Sequence, residues 1–141
     1  MKRISDEIEK VLNAQIANEL NSEKLYRAMA NCLEFDGWNG AAKLWKKYSE
    51  EEHKHAEKVI TFMQDLDCLP QIPATIQPQK EFDGIKDVVT KSDEHEWLIT
   101  TQWKGIASKA MKESDLLTFG LAQEFIKEQV EEISKTNYWV N

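Results

Sequence analysis

Carboxylate side chains interrupt four apolar stripes that have the spacing of long helices. The steps between residues of the first stripe alternate four and three, and Glu19 lies near its middle. Similar spacing places acids, and in one case a histidine, in three further stripes: Glu52, His55, Glu96, Glu128 and Glu132. Carboxylates gathered in one core would repel one another and would be costly to desolvate. A bound multivalent cation is the simplest way to offset that cost, so the pattern predicts a metal site inside a helical core.

Glu52 and His55 form a Glu-x-x-His pair, and residues three apart share one face of a helix. Both side chains can therefore reach one ion. Such pairs are common on solvated helix surfaces, but this one lies within an apolar stripe. A ligand set of several carboxylate oxygens and one imidazole suits iron or manganese better than zinc or copper. Open coordination positions would let dioxygen or peroxide reach the metal.

The other polar and aromatic side chains are expected either to support the metal site or to take no part in it. Tyr26 lies two turns from Glu19 on the same stripe and is either a core aromatic or a group that orients a ligand or passes an electron. Gln129 is a surface residue, a hydrogen-bond partner or a weak ligand. His53 and His95 fall off the inward stripes, so we expect both to be solvated. Three tryptophans are expected to pack and not to react: Trp45, Trp97 and Trp103.

Four helices would position these side chains. Capping residues, glycines and prolines predict helices over about 5–35, 41–66, 84–112 and 115–137. Asp36 and Gly37 end the first helix, a turn through Asn39 and Gly40 follows, and Asp83 is the expected N-cap of the third. All three prolines lie between the second and third helices, where the chain should be extended.

The lengths of the connections determine the topology. The first and last connections are short, which makes helices one and two antiparallel, and likewise three and four. The middle link of about seventeen residues reaches roughly 55 Å, more than the ~45 Å of a 30-residue helix. The prediction is an all-α four-helix bundle with one long crossover between helices two and three. The polar interruptions then share one level, roughly 18–25 Å from the helix ends.

Composition narrows the class of protein. A chain of 141 residues with 41% hydrophobic and 30% charged residues fits a single domain, 1–141, with a substantial core. The net charge of −7 argues against a nucleic-acid partner, and no stretch approaches the ~20 apolar residues of a membrane span. Because the N-terminus lacks an apolar signal segment, we expect a cytoplasmic location. Cys32 and Cys68 form no Cys-x-x-Cys motif and should be reduced, partly buried thiols.

Over nearly its whole length the sequence resembles the ferritin family, specifically the non-haem bacterial type. The matching segments are LNAQIANELNSEKLY, SEEEHKHAEKV, DEHEWLITTQWKGIASKAM and KEQVEEI. The resemblance implies a ferritin-like bundle that oxidises Fe(II) with dioxygen at a dinuclear centre and stores the ferric product in a hollow shell. It implies no haem, because the second Glu-x-x-His of the haem-binding bacterioferritins reads Gln129-x-x-Glu132 in this chain.

Carried over residue by residue, the resemblance implies two adjacent iron positions. Glu19, Glu52 and His55 would hold the first iron. The second would be held by Glu52 as a bridge, together with Glu96 and Glu132. These five residues, with Tyr26 beside them as the family's tyrosine near the centre, would form the catalytic set of a ferroxidase.

The resemblance also implies a third iron site close to the pair. Its ligands would be four acids: Glu51, Glu128, Glu131 and Glu132. Gln129 falls where bacterial ferritins often carry a glutamine beside the second iron, which adds it to the candidate metal-binding residues.

Assembly is expected to follow the family in part. The tail SKTNYWVN, ending at Asn141, is too short for the fifth helix with which such ferritins line a fourfold axis. We therefore expect a homo-oligomer, cage-like and with dimers as the robust unit. The leading function is iron storage with ferroxidase activity. An alternative is an iron-binding or sequestering carrier without a competent cage, and another is a helical interaction protein whose acids face solvent.

Overall fold

Four long helices account for most of the chain in a computed structural model, which describes residues 1–140 and the side chains of 1–139. They are α1 (Asp6–Phe35), α2 (Asn39–Asp65), α3 (Gly84–Lys112) and α4 (Leu116–Val140). The described residues include no strand, so the all-α prediction is confirmed. No helix within that range combines the length and the apolarity of a transmembrane segment.

Three of the helix boundaries follow from local residues. The Ser5 hydroxyl accepts a hydrogen bond from the Ile8 amide at 3.1 Å and caps α1. After α1, Gly37 adopts a φ of 89°, a left-handed conformation that glycine tolerates best. Asp115 caps α4, because its carboxylate accepts from both the amide and the hydroxyl of Thr118, at 3.0 and 2.7 Å.

The start of α2 differs from the prediction, whereas α3 begins directly after Asp83 as predicted. The expected turn through Asn39 and Gly40 is helical, because the Trp38 carbonyl already accepts the first intrahelical hydrogen bond, from the Ala42 amide at 2.8 Å. Asp83 occupies the N-cap position of α3 without making a side-chain capping bond. The early start of α2 depends on backbone geometry that residue preferences describe poorly.

Helix α4 continues three residues past the predicted end at 137. The Thr136 hydroxyl donates to Asp93 on α3 at 2.8 Å, and the Trp139 ring meets the Trp45 ring on α2 edge to face, with centroids 5.7 Å apart. Tertiary contacts on two neighbouring helices therefore hold the last turn.

The long crossover lies along α1. The amides of Gln71 and Ile76 donate to the side chains of Asn13 and Asn21, at 2.9 and 2.8 Å, and Lys24 contacts Thr75. The link thus advances with α1 from one end of the bundle toward the other. Packing of α1 against α2 and of α3 against α4, with α1 meeting α3, completes the bundle with one long crossover that the sequence predicted.

A layer of buried polar side chains divides the apolar core into two clusters. One cluster, near the start of α1, includes Ile8, Leu12, Val59, Met63 and Trp103; the other includes Met29, Leu33, Trp45 and Val88. Buried residues of the intervening layer include Gln15, Glu19, Ser22, Glu52, Glu96 and Gln129. The packing role is confirmed for Trp45 and Trp103, whereas Trp97 is half-exposed and belongs to neither cluster.

Candidate metal centre

Glu19, in the middle of α1, is fully buried, and only one of its two carboxylate oxygens accepts hydrogen bonds. Its Oε1 accepts from the indole N–H of Trp103 at 2.9 Å and from the Gln15 amide at 3.3 Å. Its Oε2 is the one buried side-chain polar atom among the described residues that has no hydrogen-bond partner. Burial raises the pKa of this carboxyl well above its usual range, and the nearby Glu52 charge raises it further. A cation at Oε2 would satisfy an otherwise costly group.

The imidazole of His55 faces Glu19 across the interior. Its Nδ1 lies 3.2 Å from Glu52 Oε2 and 3.9 Å from Glu19 Oε2. Ligand atoms of Glu19, Glu52 and His55 all lie within 4.8 Å of one another. On its other side, Nε2 is 3.2 Å from Glu128 Oε2, and the imidazole and Phe125 rings form a T-shaped pair. The three ligands can therefore reach one ion, with Glu128 and Phe125 fixing the ring.

A second group lies beside the first. Ligand atoms of Glu52, Glu96 and Glu132 also lie within 4.8 Å of one another. Burial raises the pKa of Glu96 to about 7, although hydrogen bonds from Tyr26 and Gln129 oppose that rise. Burial likewise raises the pKa of Glu132, against the effect of a nearby lysine.

Glu52 belongs to both groups and is the only residue that does. It is almost fully buried, and burial together with the charge of Glu96 raises its pKa well above the usual range. A carboxylate has two oxygens, so one side chain can contact two ions. The geometry therefore has room for a pair of cations that share Glu52.

Tyr26 and Gln129 act on Glu96 from opposite sides. The Tyr26 hydroxyl donates to Glu96 Oε1, and the Gln129 amide donates to Oε2 at 3.0 Å. The same Gln129 amide also reaches the Glu96 carbonyl at 3.1 Å and the Thr100 hydroxyl at 3.2 Å. Of the roles left open for Gln129, a surface position is wrong and a hydrogen-bond partner is observed. Tyr26 is both a buried aromatic and an orienting donor.

The four acids of the predicted third site are less closely gathered. They form no group of three whose ligand atoms lie within 4.8 Å, among the residues that the structure describes. All four line one open depression of about 390 Å³ beside the buried layer: Glu51, Glu128, Glu131 and Glu132. Glu131 is exposed, while Glu51, Glu128 and Glu132 are partly buried.

His95 is placed differently from the prediction. We expected it to be solvated, but its Nε2 lies 2.6 Å from the Ser22 hydroxyl and its ring edge packs on Tyr26. The Ser22 hydroxyl also lies within hydrogen-bond distance of the Asn18 carbonyl, at 2.9 Å. Burial lowers the pKa of His95 to about 4, which keeps the ring neutral. His53, in contrast, is exposed as predicted.

Sequence reasoning also missed two residues, Trp103 and Gln15, that donate hydrogen bonds to Glu19. Trp103 appeared only as a packing residue, yet its N–H anchors Glu19. Gln15 and Ser22 stand in the first apolar stripe, so their polarity was a visible signal that the interruption extends beyond Glu19.

A family model described as the ferritin-like domain matches residues 9–141 of the chain. The chain belongs to the ferritin family. A probable bacterial non-haem ferritin-like protein of Haemophilus influenzae is 32% identical over 129 residues, which cover 92% of this chain and 78% of that protein. A bacterial non-haem ferritin of Campylobacter jejuni is 31% identical, covering 92% and 77%. The predicted resemblance to the non-haem bacterial ferritins is therefore confirmed.

Solved ferritin structures share the fold. An open-pore ferritin from the archaeon Archaeoglobus fulgidus superposes with a TM-score of 0.96 at 29% identity, covering 98% of this chain and 85% of that chain. An engineered closed form of the same protein gives a TM-score of 0.96, with coverage of 98% and 84%. The ferritin-like fold class is confirmed, and family membership supports iron storage as the general function.

Proposed function

We propose that this ferritin binds two Fe(II) ions as substrate within the bundle, oxidises them and passes ferric iron to a stored mineral. The observation that carries the proposal is that Glu52 belongs to two ligand groups, each with atoms within 4.8 Å of one another. The unpartnered Oε2 of Glu19 supports it, because a buried carboxylate oxygen with no donor fits a cation.

Each side chain has a distinct part in this proposal. Glu19 and His55 hold one ion, Glu96 and Glu132 hold the other, and Glu52 bridges them. Tyr26 and Gln129 are positioning residues, because their hydrogen bonds fix the Glu96 carboxylate. Burial raises the pKa of the Glu19, Glu52 and Glu96 carboxyls, and cation binding favours their charged forms.

A pair of ions matches the electron count of the reaction. Each Fe(II) gives one electron, so two supply the two electrons that convert dioxygen and two protons to hydrogen peroxide. With peroxide as the oxidant, two electrons and two protons yield two waters.

A matched pair of variants tests the oxidation. Glu52→Gln removes the shared charge with little change of shape, whereas Glu50→Gln changes an exposed acid of the same helix. We expect Glu52→Gln to lose most of the fast Fe(II) oxidation, by about 100-fold or more, in stopped-flow mixing with dioxygen. Glu50→Gln should match the parent. Equal rates in all three proteins would refute the proposed centre.

The proposal extends to self-association as a cage-like homo-oligomer with dimers as its robust unit. Large apolar side chains are exposed at the end of α1 and along the crossover, including Phe35, Leu69, Ile72 and Ile76. Such side chains are typical of a surface that another protein covers. Light scattering would distinguish mineral storage from the alternative iron carrier. A large shell fits mineral storage, whereas a dimer alone would favour the carrier. A single domain over 1–141 and a cytoplasmic location stay predictions.

A further inference from the structure

Lys135, near the end of α4, places its ammonium among carboxylates that the proposed iron site needs. Its Nζ lies 3.1 Å from Glu132 Oε1 and 3.7 Å from Glu51 Oε2. The ammonium also stands over the Tyr48 ring, 5.5 Å from its centroid. Glu132 belongs to the second ligand group of the pair, and Glu51 to the predicted third site. One lysine therefore contacts acids of two ion positions.

The depression around Lys135 already carries several positive charges. Glu128, another acid of the predicted third site, lies 3.9 Å from the ammonium of Lys58 and 3.2 Å from His55. The lining combines four carboxylates with three lysines: Glu51, Glu128, Glu131, Glu132, Lys54, Lys58 and Lys135. The inner carboxylates of Glu19, Glu52 and Glu96, in contrast, form no ion pair with a lysine in the described part of the chain. The need for a bound metal ion is therefore greatest at these three inner carboxylates.

We propose that Lys135 is a tethered counter-ion that competes with a third metal ion. With the ammonium between Glu51 and Glu132, a divalent cation there would lie a few ångströms from a like charge and would be repelled. The Lys135 side chain is 41% exposed on a flexible stem, so it can withdraw into solvent when the cation concentration is high. Lys135 thereby sets the number of tightly held ions at two and makes the third weak. This inference rests on the proposed function of the inner pair.

Cobalt(II) is a suitable probe because it binds oxygen and imidazole ligands and is not oxidised by air in this setting. Titration calorimetry would follow its binding to the parent and to three variants: Lys135→Gln, Lys135→Arg and Lys127→Gln. The first removes the charge, the second keeps it, and the third changes an exposed lysine of the same helix. Helical circular dichroism would verify the fold of each.

We expect two tight ions per chain in all four proteins. The affinity for the third ion should be about tenfold higher, or more, in Lys135→Gln than in the parent. In Lys135→Arg and Lys127→Gln the third ion should bind as weakly as in the parent. Third-ion affinities that are equal in the parent and Lys135→Gln would overturn the counter-ion proposal and leave the inner pair intact. Failure of every protein to bind the first two ions would overturn the proposed function itself, and this inference with it.

Discussion

Two opposing effects set the pKa of the Glu96 carboxyl. Burial favours its neutral form, while the hydroxyl of Tyr26 and the amide of Gln129 favour the charged form that binds a cation. The result is a pKa of about 7, compared with the usual 4.5. In the proposed centre, we therefore expect Glu96 to exchange a proton for a metal ion near neutral pH.

The raised pKa of Glu96 predicts how the stability of the metal-free protein depends on pH. Between pH 4.5 and about 7 the folded chain keeps a proton on Glu96 that the unfolded chain has lost, so stability falls as pH rises. The loss from this group is roughly 3 kcal/mol at most, at ~1.4 kcal/mol per pH unit. Urea unfolding from pH 5.5 to 8 would measure it, with metal removed by a chelator.

Glu96→Gln supplies the comparison for that series. The amide cannot titrate, so the decline of unfolding free energy with pH should be shallower than in the parent. Glu50→Gln should keep the parent slope, because Glu50 is exposed. A parent whose stability rises steadily over this range would contradict the assigned direction.

The site residues were largely predictable, because each carboxylate or histidine stands in an apolar stripe of its own helix. The structure brings together Glu19, Glu52 and His55, and Glu52, Glu96 and Glu132, as the stripes and the resemblance suggested. His95 could not be placed in this way, since its partner Ser22 is on another helix. The contact of Lys135 with Glu51 was missed for the same reason, because Glu51 lies on α2 and only the packed bundle brings the two together.

At the scale of elements, α4 depends on neighbours that sequence patterns do not reveal. Local signals predicted its end at 137, but the helix continues to Val140. The edge of the Trp139 ring on Trp45 and the bond from Thr136 to Asp93 explain the difference. The same last turns carry Glu132 and Lys135, so docking of this segment also positions the outer side of the metal centre.

Trp139→Ala should therefore loosen the end of α4. An aromatic pair contributes ~0.5–1.5 kcal/mol beyond the area it buries, so we expect a loss of about 1–2 kcal/mol in unfolding free energy. Amide exchange in the last two turns of α4 should accelerate. Asn137→Ala, at an exposed position of the same turn, is the control and should change little. Unchanged exchange rates in Trp139→Ala would contradict the docking role.

For the whole molecule, we expect stability to depend on cation binding in the buried polar layer. Two apolar clusters hold the bundle together on either side of the layer, and the layer itself contributes carboxylates that resist burial. A ligand that binds only the folded state adds stability in proportion to its saturation. We therefore expect the ferritin fold and the proposed metal centre to be energetically coupled.

Thermal melts with and without Fe(II) under argon should show this coupling. At 100 times the dissociation constant each site adds ~2.7 kcal/mol, so two sites should raise the midpoint by about 10 °C or more. Glu52→Gln disrupts both ligand groups and should lose most of that rise. An unchanged midpoint in the parent at saturating Fe(II) would show that the ions do not bind the buried layer.

The most direct test of the account is the number of Fe(II) ions that each chain binds without oxygen. Anaerobic titration calorimetry should give two tight ions per chain, with a weak third, because Glu52 joins two ligand groups and Lys135 opposes the outer position. Glu52→Gln should weaken both tight sites together, while Glu50→Gln should leave them unchanged. Saturation at one ion or fewer per chain in the parent would contradict the paired centre.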